Sequence, residues 1–184
     1  MATHSKSPAA DHLMTEAEYL ALPETMTKTE LFDGELVRQP SPGGEHQHSV
    51  GRLHLLLANW AATAMPRAEV WLSPLDVKFA PGRILQPDLL VFLEPLVRPV
   101  RMPIDRVPDL CIEVVSTRRV YDRVTKRLAY GEAGVRDYWT VVQALGFIER
   151  WTGSHLAMRE ECRDRLMTPL LPGFELDVMA LLAE

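Results

Sequence analysis

The chain has 184 residues, 47% apolar and 24% charged, with a formal net charge of -5. That length suits one domain with a sizeable core, and the composition is that of a soluble globular protein. No apolar run approaches the length that a bilayer span needs. Cys111 and Cys162 cannot build a disulfide framework, and without a CxxC or HExxH motif zinc is not expected. The N-terminus shows no basic region followed by an apolar core, so no secretory signal is read and the cytoplasm is the expected compartment.

Residues 1–14 read as a disordered tail, and residues 15–184 as one domain. Thr15-Glu16-Ala17-Glu18 fits a capping box that opens a short helix, which Pro23 ends. Glu30 to Val37 reads as a hairpin turning at Asp33-Gly34, because both turn positions accept positive φ. A helix is predicted from about His46 to Ala64. Its Val50, Leu53, Leu57, Trp60 and Ala64 recur at helical intervals and define a buried face.

Glu69 to Phe79 reads as a strand interrupted or bent near Pro74, and Ile84 to Leu93 as the next strand, carrying Asp88. Pro87 cannot donate to a ladder, so that strand starts there or has an open edge. Pro95 to Pro108 is a proline- and arginine-rich loop or flap. Asp109 to Val115 is a short apolar strand holding Glu113. A helix over Val120 to Glu132 follows, then a strand from Arg136 to Val142 and a meander of short strands to Thr168. Leu176, Val178, Met179 and Leu182 can pack back onto the body. This order predicts an α/β fold, a mixed sheet with helices packed on it.

Asp88 and Glu113 each place a carboxylate inside an apolar run, which is costly unless compensated. A shared divalent cation is one compensation. Magnesium accepts one or two carboxylates together with waters and substrate oxygens, and manganese can replace it. The Val114 carbonyl is a further candidate ligand. Lys126 would orient the attacking water or offset charge at a scissile phosphate. Asp122, Lys126 and Tyr130 lie four apart and would share a helix face toward the site, with Val124 and Leu128 toward the core. Arg118, Arg119, Arg123, Lys126 and Arg127 make a basic run after Glu113, which suits a phosphodiester polymer despite the acidic total.

Pro87-Asp88, Glu113-Val114-Val115 and a helical Lys126 resemble the PD-(D/E)XK nuclease superfamily in its migrated-lysine form. More closely, the chain resembles the Uma-type family of bacterial restriction endonucleases. The resemblance runs from about Glu30 to Leu182. It rests on Glu30 to Val37, His46-Gln47, Gln86-Pro87-Asp88, Pro108-Asp109-Leu110, Glu113 to Ser116, Asp122 with Lys126 and Tyr130, and Gly134 to Trp139. It implies a restriction-endonuclease-like core, Mg2+ or Mn2+, a DNA substrate and a homodimer. It also brings Glu35 and His46 near the catalytic Asp88, Glu113 and Lys126. Tyr130 is read as half core and half wall of the substrate site. A non-catalytic DNA- or protein-binding module that kept the fold is the competing reading. Cys111, Tyr138 and Trp139 are expected to be packing residues.

Overall fold

The computed structural model describes residues 13–23, 27–115 and 121–183. The expected tail lies outside these except for Leu13 and Met14, and Met14 N–H donates to the Gly34 carbonyl at 2.8 Å. The capping box forms as read: Thr15 accepts from the Glu18 amide and Glu18 from the Thr15 amide, opening α1 (Glu16–Leu20). Strands β1 (Thr29–Phe32) and β2 (Glu35–Arg38) make the hairpin, with φ of 50° at Asp33 and 85° at Gly34. Helix α2 (Gly44–Ala64) buries Val50, Leu53, Leu57, Trp60 and Ala61. Ala64 is exposed, because four-residue steps drift off a face that repeats every 3.6 residues.

Two predicted strands divide, the first at the interruption expected near Pro74 and the second where none was expected. Glu69 to Phe79 divides into β3 (Glu69–Leu72) and β4 (Val77–Ala80). Ile84 to Leu93 divides into β5 (Arg83–Leu85) and β6 (Leu89–Phe92). In both cases the halves belong to different sheets. The second break falls on Gln86-Pro87-Asp88, where Pro87 has no N–H for either ladder. Asp88 is therefore a residue of the crossing between sheets and not of a strand.

After β7 (Leu110–Val115), residues 121–126 form a wide π-type turn that runs into α3 (Arg127–Ala133). Then come β8 (Asp137–Val142), β9 (Phe147–Thr152), β10 (Met158–Cys162), β11 (Arg165–Met167), β12 (Glu175–Asp177) and α4 (Val178–Leu182). The larger sheet has the order β10-β9-β8-β7-β6-β3, and the smaller β2-β1-β5-β4; β11 and β12 pair with each other. Among the described residues only the β7–β8 pairing is parallel within the larger sheet.

The sheet is buried on both faces, which is why β6, β7 and β8 are apolar almost throughout. Ile112, Val114, Trp139 and Val141 pack with Leu53 and Leu57 of α2 and Leu181 of α4. Cys111, Tyr138 and Leu90 pack on the other side with Tyr130 of α3 and with Val77, Phe79 and Leu85 of the smaller sheet. Tyr138, Trp139 and Cys111 are fully buried packing residues, as read from the sequence. The loop between β6 and β7 is tied down as well: Lys78 N–H donates to Ile104 O and Ile104 N–H to Asp76 O.

Lys126 and Tyr130 face Glu113 as expected, but the core side of this segment differs from the expectation. Lys126 and Tyr130 are fully buried, while Val124 and Leu128 are 44% and 47% exposed. The π-type turn bonds five residues apart, so α-helical spacing does not carry through residues 121–126. Carboxylate partners for Lys126 make its burial possible. Met179, expected to pack inward, is likewise exposed.

Candidate active site

Glu113 lies on the same face of β7 as Cys111, toward α3. Lys126 Nζ reaches its Oε1 at 2.8 Å, and the Tyr130 hydroxyl donates to the same oxygen at 2.8 Å. The other oxygen, Oε2, lies 4.0 Å from Lys28 Nζ. Lys28 stands just before β1, and its Nζ is 2.9 Å from Asp88 Oδ1. Asp88 Oδ2 accepts from the Val114 amide at 2.9 Å and lies 3.0 Å from His46 Nε2. The sheet crossing thus fixes one carboxylate against the strand that carries the other. His46, in the first turn of α2, holds it from the opposite layer.

A third carboxylate completes the cluster. Glu30 is fully buried, and its Oε1 is 2.9 Å from Lys126 Nζ and accepts the Gln86 amide at 2.8 Å. Gln39 donates to its Oε2 at 3.3 Å. The sequence reading chose Glu35 from this hairpin. Glu35 is exposed beside the turn, paired across from Phe32, whereas Glu30 sits deeper, across from Val37. Both glutamates project from one face of the hairpin; distance from the Asp-Gly turn is the signal that separates them. For Lys28 the sequence carries no signal, because it lies outside any periodic segment.

Burial alone would push the Asp88 carboxyl up, but Lys28 and His46 hold it well below the usual carboxylate range. Burial likewise opposes ionisation of Glu30, and Lys126 and Lys28 overcome it. The Lys28 ammonium is opposed by burial and by Lys126, yet Glu113, Asp88 and Glu30 keep it charged. Burial and the adjacent Glu113 push the Tyr130 phenol up, so it stays a neutral donor.

The expected substrate contacts divide. Arg118 and Arg119 lie outside the described residues, as do the side chains of Asp122 and Arg123. Arg127 is committed to packing: Nη1 donates to Leu156 O at 3.0 Å, and its guanidinium covers the Trp151 ring. Of the two roles expected for Tyr130 the structure shows the core one: it is fully buried and donates to Glu113, with no surface turned outward as a wall.

Among the described residues no three His, Cys, Asp or Glu side chains form a metal cage. Two hard carboxylates do converge on one cationic centre, Lys28 Nζ, at 2.9 and 4.0 Å. That donor set suits magnesium or manganese, which retain waters and substrate oxygens.

The family model described as "Putative restriction endonuclease", Uma2, matches residues 16–179. The chain belongs to the Uma2 family. No curated protein matches this Uma2 chain. Among solved structures it is similar to a crystal structure described as "a putative nuclease belonging to DUF820 from Anabaena variabilis ATCC 29413". The TM-score is 0.76 at 19% identity, over 92% of this chain and 98% of that one. At this identity the likeness establishes the shared fold, a mixed α/β domain with helices flanking its sheets. No helix among the described residues is long and apolar enough to cross a membrane.

Proposed function

We propose that this Uma2 chain is a magnesium- or manganese-dependent endonuclease that hydrolyses phosphodiester bonds in DNA. The observation that carries the reading is the convergence of Asp88 and Glu113 on one cationic centre, with Lys126 tied to Glu113. Asp88, Glu113 and the Val114 carbonyl would hold the ion. When bound, it supplies Lewis-acid charge at the phosphate and lowers the pKa of a coordinated water.

The chain's own residues orient and balance this centre. Tyr130 and Lys126 both engage Glu113 Oε1, which turns Oε2 toward Asp88. His46 and the Val114 amide hold Asp88 Oδ2, which turns Oδ1 toward Glu113. Glu30 fixes the Lys126 ammonium from its far side, so a positive charge stays beside the reacting phosphate. In the reaction water oxygen bonds to phosphorus, the bond from phosphorus to the leaving oxygen breaks, and the proton that the water loses to solvent is made up at the leaving oxygen from solvent. Lys126 offsets the negative charge that develops on the phosphoryl oxygens. The basic run Arg118, Arg119 and Arg123 would supply backbone phosphate contacts. A cytoplasmic homodimer belongs to the same proposal, and sedimentation of the purified protein tests its dimeric part.

The test is cleavage of plasmid DNA with Mg2+ or Mn2+ and with EDTA, beside Glu113→Ala. We expect cutting that EDTA abolishes and that the variant loses by at least about a hundredfold, since removing even outer partners of a metal site costs 10–100-fold. If wild type binds DNA but leaves it uncut with either metal, the non-catalytic binding module replaces this reading.

A further inference from the structure

Two lysines enter the carboxylate cluster, and they are held differently. Lys126 is 1% exposed at its side chain and is clamped between Glu30 at 2.9 Å and Glu113 Oε1 at 2.8 Å. Lys28 is 17% exposed at its side chain, and its Nζ stands between Asp88 Oδ1 and Glu113 Oε2. Those two oxygens are the ones that the rest of the site turns toward each other.

We infer that Lys28 is an internal counter-cation, occupying the divalent-metal position of the metal-free protein and leaving it when the ion enters. The inference rests on the metal-dependent reading given above. Charge balance supports it. Glu30, Asp88 and Glu113 carry three negative charges against two lysines, and each of these five groups has less than a fifth of its side chain exposed. Replacing Lys28 by a divalent ion adds one positive charge to this buried set, whereas adding the ion beside both lysines adds two. Buried charge is tolerated only when balanced, so exchange is favoured over addition.

Geometry points the same way. Magnesium needs carboxylate oxygens at about 2.0–2.1 Å and cannot share the space between them with an ammonium. Four rotatable side-chain bonds and partial exposure give Lys28 a way out that Lys126 lacks. Released, its ammonium is a mobile positive group at the rim of the site.

The experiment measures metal binding and lysine access, neither of which depends on turnover. Free Mn2+ is followed by paramagnetic resonance during titration of wild type and of Lys28→Met. Amine acylation of Lys28 in the wild type is followed by mass spectrometry with and without Mn2+. We expect Lys28→Met to bind Mn2+ about tenfold more tightly, because a competing unit charge has been removed. Lys28 of the wild type should be acylated several-fold faster with metal, while Lys126 stays protected. Should Lys28→Met not fold, the acylation arm decides alone. If wild type binds Mn2+ but Lys28 is acylated no faster, or the variant binds equally or more weakly, the exchange is overturned and the metal reading stands. If wild type binds no Mn2+, both fall.

Discussion

Buried charges gather at both ends of the parallel pair β7–β8, and the two gatherings are built on opposite terms. At the far end, Asp137 opens β8. Its Oδ1 accepts from Trp139 Nε1 at 2.9 Å, and its Oδ2 from Thr168 Oγ1 at 2.6 Å and Arg150 Nε at 3.0 Å. Arg150 goes on to Glu160 and Thr168. These partners lie within β8–β10 and the segment that follows β11, so the network staples that edge of the domain. At the other end, the partners of Asp88, Glu113 and Glu30 come from the hairpin, α2, the sheet crossing and α3, and carboxylates outnumber lysines. Burial of charge by itself says little about function. Like charges brought together from distant segments say more, because a staple gains nothing from them.

The largest expected effect would break the comparison outright. Lys126→Met leaves Glu30 and Glu113 buried without their common cation, and removing one partner of a buried pair costs about 3–5 kcal/mol. Urea unfolding should register that loss, and cleavage should vanish with it. Asp137→Ala should cost about 2–3 kcal/mol for its hydrogen-bonded arginine and hydroxyl, with cleavage by the folded fraction unchanged. A selective loss of cleavage in that variant would make the far end functional and void the contrast.

Titration should separate the two ends by sign. Asp88 is held below the usual carboxylate range, so its contribution to stability is complete above about pH 4 and is lost as pH falls through its lowered folded value. Asp137 is pushed up by burial, against its hydrogen bonds to Thr168 and Arg150. The folded state then binds its proton more tightly than the unfolded state, and stability falls as pH rises from about 4 through the raised value. In EDTA, Asp88→Asn should flatten the acid limb of the stability curve, and Asp137→Asn should remove a decline above it. Identical curves for the two variants would refute the assignment.

The smallest effect expected is mechanical. A Cβ on Gly131 would meet the His155 carbonyl oxygen at 2.5 Å, so α3 packs there at backbone distance. Gly131→Ala should cost about 1–3 kcal/mol by overpacking. Because α3 carries Tyr130, cleavage should weaken more than stability alone explains. A variant with wild-type melting and cleavage would show that α3 can shift without disturbing Glu113.

Much of this was legible from the chain. Thr15-Glu16-Ala17-Glu18 and Asp33-Gly34 carry their own chemistry, a reciprocal cap and a turn that accepts positive φ, and both form as read. The periodicity from Val50 to Trp60 needed only the helical repeat. Asp88, Glu113 and Lys126 stood out as charges in apolar or basic surroundings, and the structure brings them together with His46. Glu35 lies outside the cluster and Glu30 inside it, because depth from a turn is not visible as a pattern. The break at Gln86-Pro87-Asp88 was legible as a proline, but not as a change of sheet.

The sequence by itself determined that Asp88 and Glu113 bear charge inside apolar runs and where the local turns and caps fall, since those depend on neighbours within a few positions. Tertiary structure alone decided that Glu30 and Lys28 join the cluster, that Val124 and Leu128 face outward, and that Arg127 packs on Trp151. Each of these is a pairing between segments far apart in the chain. Its energy comes from burial and charge balance, which no local pattern records.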